Sequence, residues 1–319
     1  MNKFTIIAAS AVFAMPAFAE DWDMPTPYGD STFHTQNISQ FAKDVSAATN
    51  GDLNITIHSA GSLFPHGEIK NAVRSRQVAL GEFFLSTLSN EDAAYGVDSQ
   101  PFVATSYDDA AKLWSAQKPV ITELLAEQGL MPLFSVPWPA QGLYTKNEIT
   151  AVEQLNGLRF RAYNAALEEF AALAGAAPVQ VEAPDIPQAF STGQVDAMIT
   201  SPSTGANSKA WDFVSNYNAI DAWVPKNIVV VNKRMFDGLS GETQQAVLDA
   251  AAAAETRGWE MSAEEATAKT AVMAENGMTI STPTDALKTG LQAIGATMLE
   301  TWDAKASDAA KSIIATYSQ

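Results

Sequence analysis

Two kinds of hydrophobic patterning divide this chain. Some stretches alternate apolar and polar residues; in others apolar residues recur every three or four positions. The densest arrangement is 155–201. Leu158-Arg159-Phe160-Arg161-Ala162 alternates, which predicts a short strand with Leu158, Phe160 and Ala162 on one face and both arginines on the other. Asn164 can cap a helix running to Leu173, and Gly175 can end it. A second strand over 177–181, a short helix over 187–192 and a third strand over 195–200 complete a β-α-β-α-β run. Short connections between such units indicate a mostly parallel sheet. Ligands of such sheets gather at the carboxyl ends of the strands, which here carry Arg161, Thr200 and Ser201.

The rest of the chain has the same grain. A helix is expected from Asp30-Ser31 to about Ala48, with Phe33, Ile38, Phe41, Ala42 and Val45 on its apolar side and Asn50-Gly51 as its stop. Leu53–His58 alternates as a strand, 68–76 reads as a short helix, and 80–86 as a buried parallel strand. A helix over 107–128 and a strand over 131–136 follow, so the first half builds a second β/α unit. Pro137-Trp138-Pro139-Ala140-Gln141-Gly142 is a stiff crossing between the two. Helical character is expected over 209–217, a strand over 227–232, one very long helix over 242–276, a strand over 278–281 and a closing helix over 284–317. The expected class is α/β, in two lobes. The first takes 20–140 and about 227–255, the second takes 141–226 and about 256–319, and the long helix is shared.

Composition narrows the class. The chain has 319 residues and 47% hydrophobic content, enough to bury a full core. Residues 1–19 have the form of a secretory leader: Lys3, an apolar run from Phe4 to Phe13, and Ala17-Phe18-Ala19 before Glu20. The apolar run is too short to span a membrane, which takes about 20 residues. The expectation is a periplasmic protein, and the lack of cysteine at the cleavage site argues against a lipid anchor. Cysteine is absent altogether, so disulfides, thiolate metal sites and a cysteine nucleophile are excluded. The net charge of −17 becomes −18 once the leader's single lysine is removed, which argues against nucleic acid as a partner. Among the three histidines there is no H-x-x-x-H spacing, and neither a nucleophile elbow nor a P-loop occurs. The adjacent acids Asp108-Asp109 and Glu168-Glu169 sit on helices and are expected to face solvent.

Gly157-Leu-Arg-Phe-Arg161, then Gly175-Ala-Ala-Pro178-Val, then Ala189-Phe-x-x-Gly193-Gln-Val-Asp196 form an ordered set. It resembles the core signature of solute receptors for tripartite ATP-independent periplasmic (TRAP) transporters, in which L-K-G-L-K-I-R, A-L-G-A-x-P and A-L-Q-x-G-V-V-D-G follow one another at similar spacing. Asn50-Gly51 after the first helix, Ala60-Gly-Ser-Leu63, and Leu239-Ser240 before a long helix extend the likeness over nearly the whole chain. The resemblance implies a periplasmic-binding-protein type II-like fold and a hinged cleft. It also implies delivery of a small organic acid to a sodium-coupled membrane permease, without catalysis, cofactor or metal. A monomer is expected. In that family the second arginine of the first segment grips the ligand carboxylate, and here that position is Arg161. The family often has G-F-R-N-L-T at the crossing, whereas this chain has Ala140-Gln141-Gly-Leu-Tyr-Thr145. Gln141 in place of an arginine favours a monocarboxylate over a C4-dicarboxylate.

The remaining candidates are side chains that can complete such a site. Thr200, Ser201 and Gln141 are neutral hydrogen-bonding groups, and Tyr163 follows Arg161 closely. Trp138 and Trp223 can stack on a planar, apolar or cationic body, or can simply pack at the domain seam. Phe84 and Ser86 end a first-lobe strand, and Tyr28 stands in a Pro-Tyr-Gly loop. His34, in the first turn of the first helix, reads first as a solvent-exposed histidine and second as a ligand contact. An exported hydrolase or isomerase acting on an acid is the alternative; it requires a nucleophile–base pair, and no such pairing is evident in the sequence.

Overall fold

A computed structural model describes residues 19–319. The leader expected over 1–19 lies outside the described residues but for Ala19. The first lobe opens with β1 (Glu20–Pro25), α1 (Phe33–Ala48) and β2 (Leu53–His58), and β1 and β2 pair in parallel. Then come α2 (Ile69–Arg74), β3 (Leu80–Phe84), α3 (Tyr107–Ala126) and β4 (Leu130–Pro137). The chain crosses over and enters the second lobe as β5 (Gly142–Thr145), β6 (Arg159–Ala162), α4 (Ala165–Leu173) and β7 (Ala177–Gln180). That lobe continues through α5 (Ile186–Ser191), β8 (Ala197–Thr200), α6 (Pro202–Asn207) and β9 (Asn216–Asn218). A return strand, β10 (Lys226–Asn232), goes back to the first lobe and leads into α7 (Lys233–Gly238) and α8 (Gly241–Glu275). The chain ends with β11 (Thr279–Ser281), α9 (Asp285–Lys305) and α10 (Asp308–Tyr317).

In the second lobe six strands lie in the order β11-β9-β5-β8-β6-β7, with β6 parallel to both β7 and β8. The expected β-α-β-α-β unit is therefore present, and its three strands end on one edge. The sheet is sandwiched between a cluster around Phe160, Phe170 and Trp223 and another around Tyr144, Phe190 and Tyr217. In the first lobe β10 lies between β3 and β4, antiparallel to both. The stretch 80–86 is buried as expected, but antiparallel: its apolar run reports burial on both faces and not strand direction.

Two further expectations are corrected. Residues 209–217 are not helical beyond a 3₁₀ turn at Ala210–Asp212, because Asn216–Asn218 joins the sheet as β9. The closing helix over 284–317 is two helices. Ala306 breaks it in an extended conformation, and the Ser307 hydroxyl caps α10 by accepting from Ala310 N–H. The helix α10 packs against α3 of the first lobe, with Ile313 in that lobe's core beside Trp114. The segment after 256 thus does not stay in the second lobe.

α8 is the strut between the lobes. Its 35 residues span roughly 50 Å at 1.5 Å per residue. Val247, Ala250, Ala251 and Ala254 join the first-lobe core, while Met273 joins the second. Small residues let neighbours come close: Asn37 of α1 donates to the Ala254 carbonyl, and a side chain at Gly258 would collide with Val136 and Asn37. Arg257 binds Asn37 and Asp44, Trp259 donates to the Ser135 carbonyl, and Ser203 of α6 donates to Glu265. Besides this strut, the chain passes between the lobes at 137–142, at 221–226 and again where α9 gives way to α10, since Leu287 to Met298 lie in the second-lobe core and Trp302 and Ile313 in the first.

The interlobe cleft as candidate ligand site

The second lobe contributes the ends of its three parallel strands. Arg161 is the third residue of β6, flanked by β7 on one side and β8 on the other, and only 2% of its surface is exposed. Its Nε donates to the Val181 carbonyl at 3.0 Å just beyond β7. The guanidinium carbon stands 5.1 Å from the centroid of the Tyr163 ring. Among the described residues no carboxylate pairs with it, and its Nη1 is buried without a hydrogen-bond partner. Burial alone pushes its pKa down to about 10, against smaller opposing effects of Tyr163, Glu182 and Tyr28. Arg159, two residues earlier, is different: it is exposed and forked onto Asp196 at 2.7 and 2.8 Å.

Arg161 lines a small, partly open cavity between the lobes. Beside it stand Tyr163, which follows β6, and Thr200 and Ser201, which end β8. The Ser201 hydroxyl also caps α6, accepting from Thr204 N–H at 3.0 Å. The first lobe supplies Tyr28 and Phe84, and the crossing supplies Trp138 and Gln141. Tyr28, Phe84, Trp138 and Tyr163 make the walls largely aromatic. The tyrosine and tryptophan of the first wall are tied down at their polar ends. Tyr28 Oη and Trp138 Nε1 both donate to Asn227 Oδ1, at 3.1 and 2.9 Å, and Asn227 Nδ2 donates to Glu82 at 3.1 Å.

Eight expected residues therefore meet at one cavity: Arg161, Gln141, Trp138, Thr200, Ser201, Phe84, Tyr28 and Tyr163. Three do not line it. Trp223 is buried in the second-lobe core against Phe170, 1% exposed, and reaches the site only through Tyr163, to whose oxygen its indole N–H donates at 3.2 Å. Ser86 faces a neighbouring hollow and accepts from Asn164 Nδ2 at 2.8 Å. His34 is not exposed. It is packed behind the wall, 4.3 Å from Trp138 and 4.1 Å from Phe33 between ring centroids, with Nδ1 at 3.4 Å from Glu82 but without hydrogen-bond alignment. Burial lowers its pKa, so it is neutral at pH 7.

Four lining residues were not among the expected ones: His66, Glu182, Ala183 and Thr204. The strand-end rule that selected Arg161 and Thr200 would have reached Glu182, just past β7. His66 had no such signal, since it arrives from a first-lobe loop. Its Nε2 accepts from Phe84 N–H at 3.1 Å, which leaves the proton on Nδ1, facing Glu182 Oε2 at 3.3 Å. Together with Asn164–Ser86 and the edge-on Phe84–Tyr163 pair, this contact joins the lobes across the cleft. The lobes are therefore shut. Further hollows flank the cavity, one sharing Tyr28 and Trp138 with it and the other sharing His66 and Glu182.

Residues 26–306 match the family described as bacterial extracellular solute-binding protein, family 7, also called DctP. The chain belongs to this family of TRAP solute receptors. It is 43% identical to DctP7 of Bordetella pertussis, an extracytoplasmic solute receptor binding pyroglutamic acid; the TM-score is 0.93, and the match covers 94% of this chain and all of that one. It is 42% identical to DctP6 of the same organism, which also binds pyroglutamic acid, with a TM-score of 0.92 over 94% of this chain and 99% of that one. A marine metagenome TRAP solute-binding protein specific for pyroglutamate is 40% identical over the same shares, TM-score 0.92. A solute-binding protein of Albidiferax ferrireducens is 26% identical over 176 residues, 54% of this chain and about half (51%) of that relative.

Proposed function

We propose that this protein is an extracytoplasmic receptor that shuts on a compact monocarboxylate, of which pyroglutamate is the leading case, and hands it to the membrane subunits of a TRAP permease. The observation that carries this reading is Arg161: a cation that is buried, lines an aromatic-walled interlobe cavity, and has no acidic partner among the described residues. A planar fork of donors suits a carboxylate, and a buried charge is tolerated only when something pairs with it. A single arginine and the neutral Gln141, Thr200 and Ser201 favour one carboxylate. The relatives at 40–43% identity whose named ligand is pyroglutamate support a flat, five-membered lactam body between the rings. Because these relatives are receptors, an enzymatic role for the same cleft is not favoured.

The test is calorimetric titration and thermal shift of protein refolded from denaturant, so that no ligand is carried over, against L-pyroglutamate, succinate, L-glutamate and D-glucuronate. A ligand present at 100 times its Kd stabilises by about 2.7 kcal/mol. The expected result is a clear shift with pyroglutamate and little with succinate. A response to succinate or the sugar acid alone would overturn the proposal.

A further inference from the structure

Trp223 does not face the cavity, yet both its backbone and its side chain hold Gln141, which does. The Trp223 carbonyl accepts from Gln141 N–H at 3.0 Å, and Ala222 N–H donates to the Gln141 carbonyl at 2.9 Å. The side chain acts one residue further away. An indole N–H can only donate, so its 3.2 Å bond to Tyr163 Oη leaves the tyrosine hydrogen to go elsewhere. That hydrogen goes to Gln141 Oε1, also at 3.2 Å. On the other side Gln141 Nε2 donates to the Pro139 carbonyl at 2.7 Å. Turning the amide over would set its oxygen against the Pro139 oxygen, two acceptors facing one another, and would leave the Tyr163 hydrogen without its acceptor. Both neighbours therefore agree on a single orientation. The second N–H of Gln141 has no acceptor among the described residues, and because Gln141 lines the cavity this N–H is the donor the crossing can offer a ligand.

We infer that Trp223 is a positioning residue for ligand selection: through Tyr163 it fixes the Gln141 amide so that the site pairs with a neutral carbonyl oxygen on the ligand, in addition to the carboxylate at Arg161. This rests on the functional reading above and sharpens it. The favoured ligand is a ring acid bearing a ketone, lactam or amide carbonyl, and a ring acid without one is disfavoured. A lactam carbonyl is a strong acceptor that carries no full charge, which matches a neutral amide donor.

The experiment is titration of wild type, Trp223→Phe and Tyr163→Phe with L-pyroglutamate, 3-oxocyclopentanecarboxylate and cyclopentanecarboxylate. The last two differ by one carbonyl. Their affinity ratio isolates the carbonyl preference and is indifferent to the fraction of protein folded. Wild type is expected to prefer the keto acid by about tenfold, the size of one well-placed hydrogen bond. Trp223→Phe keeps an aromatic ring in the core and removes the N–H; it should bring the ratio down several-fold while leaving the affinity for cyclopentanecarboxylate nearly unchanged. Tyr163→Phe should lower the ratio as well, and it supplies the answer if the tryptophan variant does not fold. A ratio in both variants equal to that of wild type shows that Trp223 only packs, and overturns the inference. Failure of wild type to bind any of the three acids overturns the functional reading, and this inference with it, before any variant is compared.

Discussion

Arg161→Met is a substitution for which the structure predicts two effects of opposite sign. Methionine fills much of the arginine's volume and removes the charge. In the shut, ligand-free protein that charge is a liability: a fall in pKa from 12.5 to about 10 corresponds to a penalty of about 3 kcal/mol on the charged form. Against this, the variant forfeits the Nε bond to Val181, worth about 1–2 kcal/mol, and the contact with the Tyr163 ring, worth about 0.5–1 kcal/mol. The ligand-free variant should therefore be as stable as wild type, or more stable by about 1 kcal/mol, where most substitutions of a buried residue destabilise. Binding should show the reverse. Removing one partner of a buried charge pair costs about 2–5 kcal/mol, so the affinity for pyroglutamate should fall at least ~30-fold. Urea unfolding of ligand-stripped protein measures the first effect and calorimetry the second. A loss of more than about 2 kcal/mol in ligand-free stability would mean that Arg161 is a structural brace, and an unchanged affinity would remove it from the site.

Three further predictions concern groups around the cleft. Burial holds His34 below its ordinary 6.5, so the unfolded chain takes up a proton that the folded one refuses. Stability is full above pH 6.5 and should fall by up to about 1.4 kcal/mol per pH unit below it, and His34→Gln should flatten that step in urea titrations run from pH 7.5 to 5. Asp98 and Lys226 form a fully buried ion pair at 3.3 Å where β10 leaves the crossing. Asp98→Asn strands the lysine and should cost about 3–5 kcal/mol of unfolding free energy; a loss below 1 kcal/mol would show that the lysine simply discharges. Glu182→Gln weakens the contact with His66 across the cleft and should quicken ligand release several-fold in stopped-flow displacement, with little change in the on-rate. His66 first, and then Arg161, hold Glu182 below its ordinary 4.5, so in wild type this contribution is present above that pH and is lost as pH falls through the lowered value. Release rates equal to wild type at pH 7 would refute it.

What the sequence disclosed about the site follows from how local each feature is. The β6–α4–β7–α5–β8 unit is written in consecutive residues, and the rule about strand ends needs nothing else to reach Arg161, Thr200 and Ser201. The long helix was equally plain, although its end-to-end role depends on Gly258 and the alanines that seat it. Four-residue β5 and three-residue β9 were missed because such strands exist only through their partners, Met198 and Ile199 for one and Ile280 for the other. The split of the closing helix had a signal that was passed over, Ser307-Asp308 being a serviceable cap. Trp223 and Trp138 both stand in or beside loops and read alike as candidates for the cleft, and only the packing of Phe170 turns the first inward while Asn227 holds the second at the wall. That distinction is made by contacts among different elements, so a linear reading of aromatic residues does not separate a wall from its support.

The cost of burying Arg161 also links ligand chemistry to hinge motion. With the lobes shut the guanidinium is out of water and its Nη1 has nothing to bond, whereas lobes held apart would let water reach it. Closure without an anion must therefore meet part of the charge penalty on Arg161, while the contacts it gains are few: His66–Glu182, whose carboxylate side is 49% exposed, Asn164–Ser86, and one aromatic edge. A carboxylate lifts that penalty and adds its own hydrogen bonds in the shut state, which is the differential affinity that any ligand-driven closure requires. A neutral ring of the same shape fills the cavity and leaves the penalty in place. A dicarboxylate lifts it but brings a second charge into a cavity whose other polar side chains are neutral or, at Glu182, already negative. On this argument the substitution of glutamine for a second arginine at 141 changes more than a contact: it sets how many negative charges the hinge will shut upon.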